Sequence, residues 1–588
     1  MIEDRDLQSI QQARQLLVRA SRAQKALEEF SQDQVDKVID AMAAAARQDS
    51  ERLARLAHEE TGYGNPHHKV LKNLFAAERV YNYIRPLKTA GIIRDDRENG
   101  VIEIASPVGV IAAIIPSTNP TSTAIYKCLI SIKARNAIVC SPHPAAVRCI
   151  QETIRVVYEA ARRAGAPEDC MLCMDLPTLE GTQELMRHEL TALILATGGM
   201  GLVKAAYSSG KPAYGVGPGN VPAYVDRTAD VEKATRDILY GKCFDNGTLC
   251  SSEQSLVADK PVADQILDAL KRNGAHVCND LEKQQLERLV FTPQKTLNTA
   301  IVGKPAPEIA KMAGFTVGHQ IRALVAQAEG VGRDHPLSVE KLSPVLAFYV
   351  EDGWEAGCRR CIEILSFGGL GHTLAVHATD RHVIEQFGLR KPAFRICVNT
   401  PAAIGAIGYT TSLVPSMTLG CGTIGGNITT DNISPLHLLN IKRLAFETNP
   451  IDHSRARSLP AAALNQPAAA NVAAKPAAVS AGSTVQSRDV IRQVVEEFLR
   501  RRQSSSPMAS QSLFVEKKTE DAPRPITEPL KPPRPAPVDF VSEEDVRVAV
   551  RKGEKIPVNS KTIITPAARD LGEEKKVFAW NQSEPRTQ

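Results

Sequence analysis

Residues 107–144, PVGVIAAIIPSTNPTSTAIYKCLISIKARNAIVCSPHP, narrow the possible folds more than any other stretch. Apolar runs rich in β-branched residues at 108–115 and 137–140 flank a segment of helical character. That is the outline of a strand–helix–strand unit with its strands buried in a parallel sheet. The alternation continues: a helix is expected over 145–164, a strand near 170–174, a helix over 182–188 and a strand at 192–196. The turn Thr197-Gly198-Gly199-Met200-Gly201 then opens another helix. A chain of this kind is an α/β protein, and such proteins hold ligands in loops at the carboxyl ends of their strands. Asn119 stands in the loop after the first strand, although Asn119-Pro120 reads equally well as a plain turn. The glycines at 198–201 admit a phosphate or ribose close to backbone, but a lone glycine cluster is more often only a tight turn.

The candidate nucleophile is Cys250, within FDNGTLCSSEQ at residues 244–254. Small and polar neighbours leave its sulfur approachable, so thioester formation is the chemistry to test. The competing reading is strong, because twelve cysteines are present and most buried free cysteines behave as small hydrophobes. Their scatter, with no secretory signal in MIEDRDLQSIQQARQ, leads us to expect a reducing cytoplasmic setting. The pairs Cys170/Cys173 and Cys358/Cys361 lie far apart and lack nearby histidines, so they read as packing cysteines and no metal is expected. His67 and His68 are adjacent, and neighbours on a helix point different ways, so solvated side chains are expected. His372, after a glycine-rich turn, is a proton carrier or substrate contact on one reading and a structural histidine on the default one.

No apolar run approaches the ~18 residues of a membrane span. A net charge of +5 is small for 588 residues, so neither membrane nor nucleic acid is an expected partner. Helical spacing runs through residues 4–60, and residues 91–105 alternate around Glu98-Asn99-Gly100 as a hairpin does. Composition changes abruptly near residue 454 to an Ala/Pro-rich linker. Beyond it, Val490, Ile491, Val494, Val495, Phe498 and Leu499 form one apolar stripe on a short amphipathic helix. A stripe on a long tether implies a partner that covers it. After a second, Pro-rich linker comes a last island: Ser542 and Asp545 before a helix that Gly553 can end, a strand at 562–565, and a helix begun by Pro566.

Five motifs occur here in the order in which the aldehyde dehydrogenase superfamily carries them: PVGVIAAIIPSTNPTSTAI, LATGGMGLVKAAYSSGKPAYGVGPGN, FDNGTLCSSEQ, EKLSPVLAFY and SMTLGCGTIGGN. Over roughly residues 10–450 the chain resembles the CoA-acylating members most. Those are the aldehyde dehydrogenase half of bifunctional alcohol/aldehyde dehydrogenases and the microcompartment propionaldehyde and acetaldehyde dehydrogenases. The resemblance implies a Rossmann-like cofactor domain with N-terminal helices over 1–240, including an oligomerisation hairpin at 91–106, and a catalytic α/β domain over 241–424. It also implies a return to the cofactor domain at 425–454 that completes the oligomerisation region, and hence a homo-oligomer, dimer or tetramer. The tail divides into a linker at 455–484, the amphipathic helix at 485–502, a second linker at 503–540 and a small binding element at 541–588.

The site residues follow from the same resemblance. Cys250 matches the nucleophile, Asn119 the oxyanion-hole amide, and Glu340 the carboxylate on the nicotinamide ribose. Thr197, Gly198, Pro116 and Ser141 match positions lining the dinucleotide. Hydrolytic members usually carry a glutamate base where this chain has Val216, so the sulfur of CoA is the implied acceptor of the thioester. Ser141 and Pro144 replace the Lys and Glu that commonly hold the adenosine ribose, which leaves NAD, favoured by the nearer relatives, and NADP both open. The 485–502 helix resembles peptides that direct enzymes into bacterial microcompartments, which implies shell or cargo partners and a location inside such a compartment in the bacterial cytoplasm. A short-chain aldehyde such as propanal or ethanal is the implied substrate. The alternatives are a hydrolytic semialdehyde dehydrogenase and a cargo organiser with vestigial catalysis.

Overall fold

The computed structural model describes residues 4–451 and, in the tail, 538, 540–541, 543–559, 562–564 and 566–580. The expected linker at 455–484 and amphipathic helix at 485–502 lie outside the described residues, as does nearly all of the second linker. The chain divides into two units, Met1–Ala463 and Leu464–Gln588.

Strands β1 (Gly91–Asp96) and β2 (Val101–Pro107) form the expected antiparallel hairpin. Its turn is closed by Asp96, which accepts from the Asn99 backbone N–H, and by Gly100 at φ 62°. Strands β3 (Val110–Ile115), β4 (Ile138–Pro142), β5 (Met171–Cys173), β6 (Thr191–Thr197) and β7 (Ala213–Val216) make a parallel sheet in the order β5-β4-β3-β6-β7. Every residue of β3 and β4 is buried, as is every residue of the intervening helix Pro120–Lys133, so this stretch lacks a polar face. The strand order reverses between β3 and β6, which opens a crevice at their carboxyl ends.

A second parallel sheet takes β8 (Val221–Val225), β9 (Glu253–Asp259), β10 (Ala275–Val277), β11 (Ala323–Gln327), β12 (Val345–Glu351), β13 (Gly371–His377) and β14 (Ala393–Val398). Its order is β10-β11-β12-β9-β8-β13-β14. The second sheet therefore begins at Val221, ahead of the boundary expected at residue 241. Pro222 hides this strand from sequence reasoning, because proline removes a ladder donor and rarely occupies a central strand. Here a register shift between Val221 and Pro222 accommodates it. Strand β15 (Leu439–Ala445) returns to pair with β2, Leu439 opposite Pro107 and Ala445 opposite Val101.

The tail unit contains the expected helices, Glu543–Lys552 and Pro566–Glu574, and a symmetry the sequence did not suggest. Strand β16 (Phe540–Val541), the first helix and β17 (Ile556–Val558) are followed by β18 (Ile563–Ile564), the second helix and β19 (Phe578–Trp580). Strand β16 runs parallel to β18, and β17 to β19, so two strand–helix–strand halves interlock. Gly553 at φ 66° follows the first helix, and Lys576 at φ 52° follows the second.

Candidate active site

The chain passes from the carboxyl end of β7 to the amino end of β8 through residues 217–220, and Glu340 and the Cys250 backbone both lie against this crossing. Cys250 lies just before β9, thus at the amino edge of the second sheet rather than at a carboxyl edge. It is half-buried. Gly219 binds the parts together: its N–H donates to Glu340 Oε1 (2.8 Å). A Cβ at this position would stand 1.9 Å from the Cys250 carbonyl oxygen and 3.1 Å from His372 Nδ1. Asn220, at φ 37°, fixes the next step by donating from Nδ2 to the carbonyls of Ser338 (2.9 Å) and Ile364 (3.0 Å).

The electrostatics keep the resting thiol protonated. Burial first, then Glu340 and Cys421, push Cys250 up to about 12, against the pull of the Arg395 guanidinium. Burial also raises the Glu340 carboxyl to about 7, opposed by the N–H groups of Gly219 and Asn220. His372 is fully buried at the start of β13, with Nδ1 2.9 Å from Thr373 Oγ1 and no partner for Nε2. Burial, helped by Arg395, lowers it to about 3, so its imidazole is neutral at physiological pH.

Asn119 occupies the N-cap position of the helix Pro120–Lys133, yet its side chain makes no capping hydrogen bond. It is spent elsewhere. Its Nδ2 points to the Thr248 carbonyl (3.5 Å) and the Thr118 hydroxyl (3.1 Å), and its Oδ1 accepts from Lys72 Nζ (2.6 Å). Lys72 and Lys69 share one face of the helix Pro66–Leu74, and both are buried against Asp245 of the 244–254 loop. Asp245 also accepts from the Asn65 N–H (2.7 Å) and the Thr248 hydroxyl (2.7 Å). Burial works to raise the Asp245 carboxyl, but the two ammonium groups outweigh it and hold it below the usual carboxylate range. Sequence reasoning gave Lys69, Lys72 and Asp245 no role; the available signal was two lysines three apart just after His67-His68. His68 is likewise not solvated as expected. It stacks on Phe244 (centroids 4.7 Å apart), and its Nδ1 accepts from the Asp245 N–H (2.9 Å). His67 is exposed.

On the side of the first sheet, Pro116 is buried immediately after β3, and Thr197 ends β6 with its hydroxyl oxygen buried and unpartnered. An orphaned hydroxyl at a strand switch point, followed by Gly198-Gly199 and the helix Met200–Tyr207, fits a dinucleotide's polar groups. Gly198 N–H donates to the Val216 carbonyl (3.3 Å), and the Val216 side chain is buried beside it, so no carboxylate stands at that position. Ser141 is turned inward, its hydroxyl 2.8 Å from that of Thr182. All twelve cysteines are free. Among the described residues the one grouping with metal-ligand spacing is His276, Cys278 and Glu282. Glu282 there already accepts from the Asn279 N–H (3.0 Å) and pairs with His276 (2.9 Å).

The sequence profile of the aldehyde dehydrogenase family matches residues 5–285. The acetylating aldehyde dehydrogenase of Geobacillus thermoglucosidasius is 52% identical in a superposition with TM-score 0.75 that covers 76% of this chain and 99% of that one. The chain belongs to the aldehyde dehydrogenase family. It is also 42% identical over 435 residues to the bifunctional aldehyde-alcohol dehydrogenase AdhE of Escherichia coli K12, covering 73% of this chain but only 49% of AdhE. It thus spans about half the length of that relative. Two solved propionaldehyde dehydrogenases are similar over 74% of this chain and 97% of their own. The one from Rhodopseudomonas palustris, with bound CoA and an acylated cysteine, is 30% identical with TM-score 0.68. The one from the Clostridium phytofermentans fucose utilisation bacterial microcompartment is 31% identical with TM-score 0.67.

Proposed function

We propose that the chain is a CoA-acylating aldehyde dehydrogenase that converts a short aldehyde such as propanal or ethanal, with NAD and CoA, to an acyl-CoA through a thioester on Cys250. The supporting observation is that the Asn119 amide reaches Thr248, two residues before Cys250, and that Gly219, against the Cys250 backbone, holds Glu340, while Val216 supplies no general base. The Cys250 thiol first gives its proton to solvent, and the thiolate sulfur then adds to the carbonyl carbon as the carbonyl π pair moves onto oxygen. The Asn119 amide and the Cys250 backbone N–H hold the developing alkoxide. When bound, the nicotinamide supplies the hydride acceptor, with Glu340, Thr197, Gly198 and Pro116 as its holders; Ser141 enters that set only through its backbone. Without a carboxylate to activate water, the thioester persists until a thiolate takes the acyl group.

The test is purified protein with propanal and NAD, with and without CoA. NADH formation should require CoA and yield propionyl-CoA. Equal turnover without CoA, giving propionate, would show the hydrolytic enzyme instead.

The domain divisions are proposed as given, with the second sheet's start moved to Val221. The sheet β1-β2-β15 exposes Ile92 (57%) and Leu444 (49%), which suits the proposed role in a homo-oligomer. For the tail we propose docking into a microcompartment through the 485–502 stripe. Deleting residues after Pro460 is expected to leave kcat within about twofold and to abolish co-purification with shells. Loss of kcat would contradict the modular reading, and retained co-purification would contradict the docking role.

A further inference from the structure

Asparagine at an N-cap position normally bonds its own helix, and Asn119 does not. Something else must fix which end of its amide faces the nucleophile. Lys72 Nζ lies 2.6 Å from Oδ1. Burial lowers its ammonium to about 7 while the Asp245 carboxylate favours the charged form, and in that form it carries donors only, so it tolerates the amide oxygen and rejects the amide nitrogen. The Thr248 carbonyl, on the other side, accepts only from the nitrogen. Lys72 also pairs with Asp245, and Asp245 bonds the Thr248 hydroxyl (2.7 Å) in the loop that carries Cys250. A single ammonium is therefore shared between the amide and the nucleophile loop. Its neighbour Lys69 meets the same Asp245 oxygen (3.1 Å) without touching Asn119.

We propose that Lys72 is a positioning residue for the reaction: it holds the Asn119 amide with its nitrogen towards the Cys250 loop, and Asp245 ties that orientation to the loop. The inference rests on the roles proposed above for Asn119 and Cys250. Lys69 provides an internal control, since it shares the burial and the carboxylate but not the amide.

The experiment measures kcat and KM for NAD and propanal in the full-length chain, with melting temperature recorded for each variant. Lys72→Met is expected to lower kcat about 100-fold, the usual consequence of misplacing a reacting group by about an ångström, with KM for NAD within about twofold. Lys69→Met should lower kcat at least tenfold less, and Lys72→Arg should recover part of the loss. In the double variant with Asn119→Ala, Lys72→Met should add almost nothing, because the amide it positions is gone. Equal losses in Lys72→Met and Lys69→Met, or multiplying losses in the double variant, would overturn the proposal. If Lys72→Met does not fold, Lys72→Arg takes its place in the double variant with Asn119→Ala: losses that multiply overturn the proposal. Asn119→Ala at wild-type turnover would overturn the site assignment itself, whereas an inactive Asn119→Ala beside an unimpaired Lys72→Met would overturn only this inference.

Discussion

Cys250→Ala is expected to eliminate aldehyde oxidation, with kcat reduced by about 10⁴-fold or more, because a nucleophile that forms the covalent intermediate has no substitute. The fold should survive. The residue is half-buried and its thiol free, and its loss removes a single sulfur atom. Two measurements separate lost chemistry from lost structure. Incubation with propionyl-CoA should acylate the wild-type chain and leave the variant's intact mass unchanged, while NAD should raise the melting temperature of both equally. An acyl adduct in the variant would move the nucleophile to another of the remaining cysteines. The wild type's acylation should also rise with pH, since burial holds the thiol near 12 and only the ionised sulfur attacks.

Gly219→Ala should cost about 100-fold in kcat although it adds one methyl group. That methyl would lie 1.9 Å from the Cys250 carbonyl oxygen, a contact no side-chain rotation relieves, because the atom it meets is backbone. Either the nucleophile loop or the 217–220 crossing must move, and about an ångström of displacement suffices for such a loss. Gly217→Ala is the matched control. Its methyl meets only the Met200 sulfur, at 3.1 Å and at the end of a flexible chain, so near-normal kcat is expected. Equal effects at the two positions would show that the crossing tolerates or rejects side chains in general and that contact with Cys250 is irrelevant.

The first sheet was legible because β3 and β4 are buried on both faces, and such strands appear as unbroken apolar runs. The hairpin was legible from its turn residues, and the tail helices from their caps. Cys250 stood out by its neighbours, and Asn119 and Glu340 by resemblance, but Asp245, Lys69 and Lys72 did not. Asp245 takes its place through a left-handed backbone at φ 48° and through lysines some 175 positions earlier in the chain, a pairing no local window contains. Strand β8 was obscured by Pro222, and His68 by an argument about exposure that held only for His67. In each of these cases a distant partner overrode what neighbouring residues indicated.

The pairing of β15 with β2 has a further consequence, for synthesis of the chain. The edge of β2 facing β15 is complete once Pro107 has emerged, but its partner begins at Leu439. At ~5–20 residues per second, translation leaves that edge without its final strand for tens of seconds. During this interval the hairpin presents unpaired backbone donors and acceptors next to the exposed Ile92. Nascent chains on one message are therefore most prone to join wrongly at this edge, and slow translation of the segment before β15 should lower the soluble yield more than equal slowing after it.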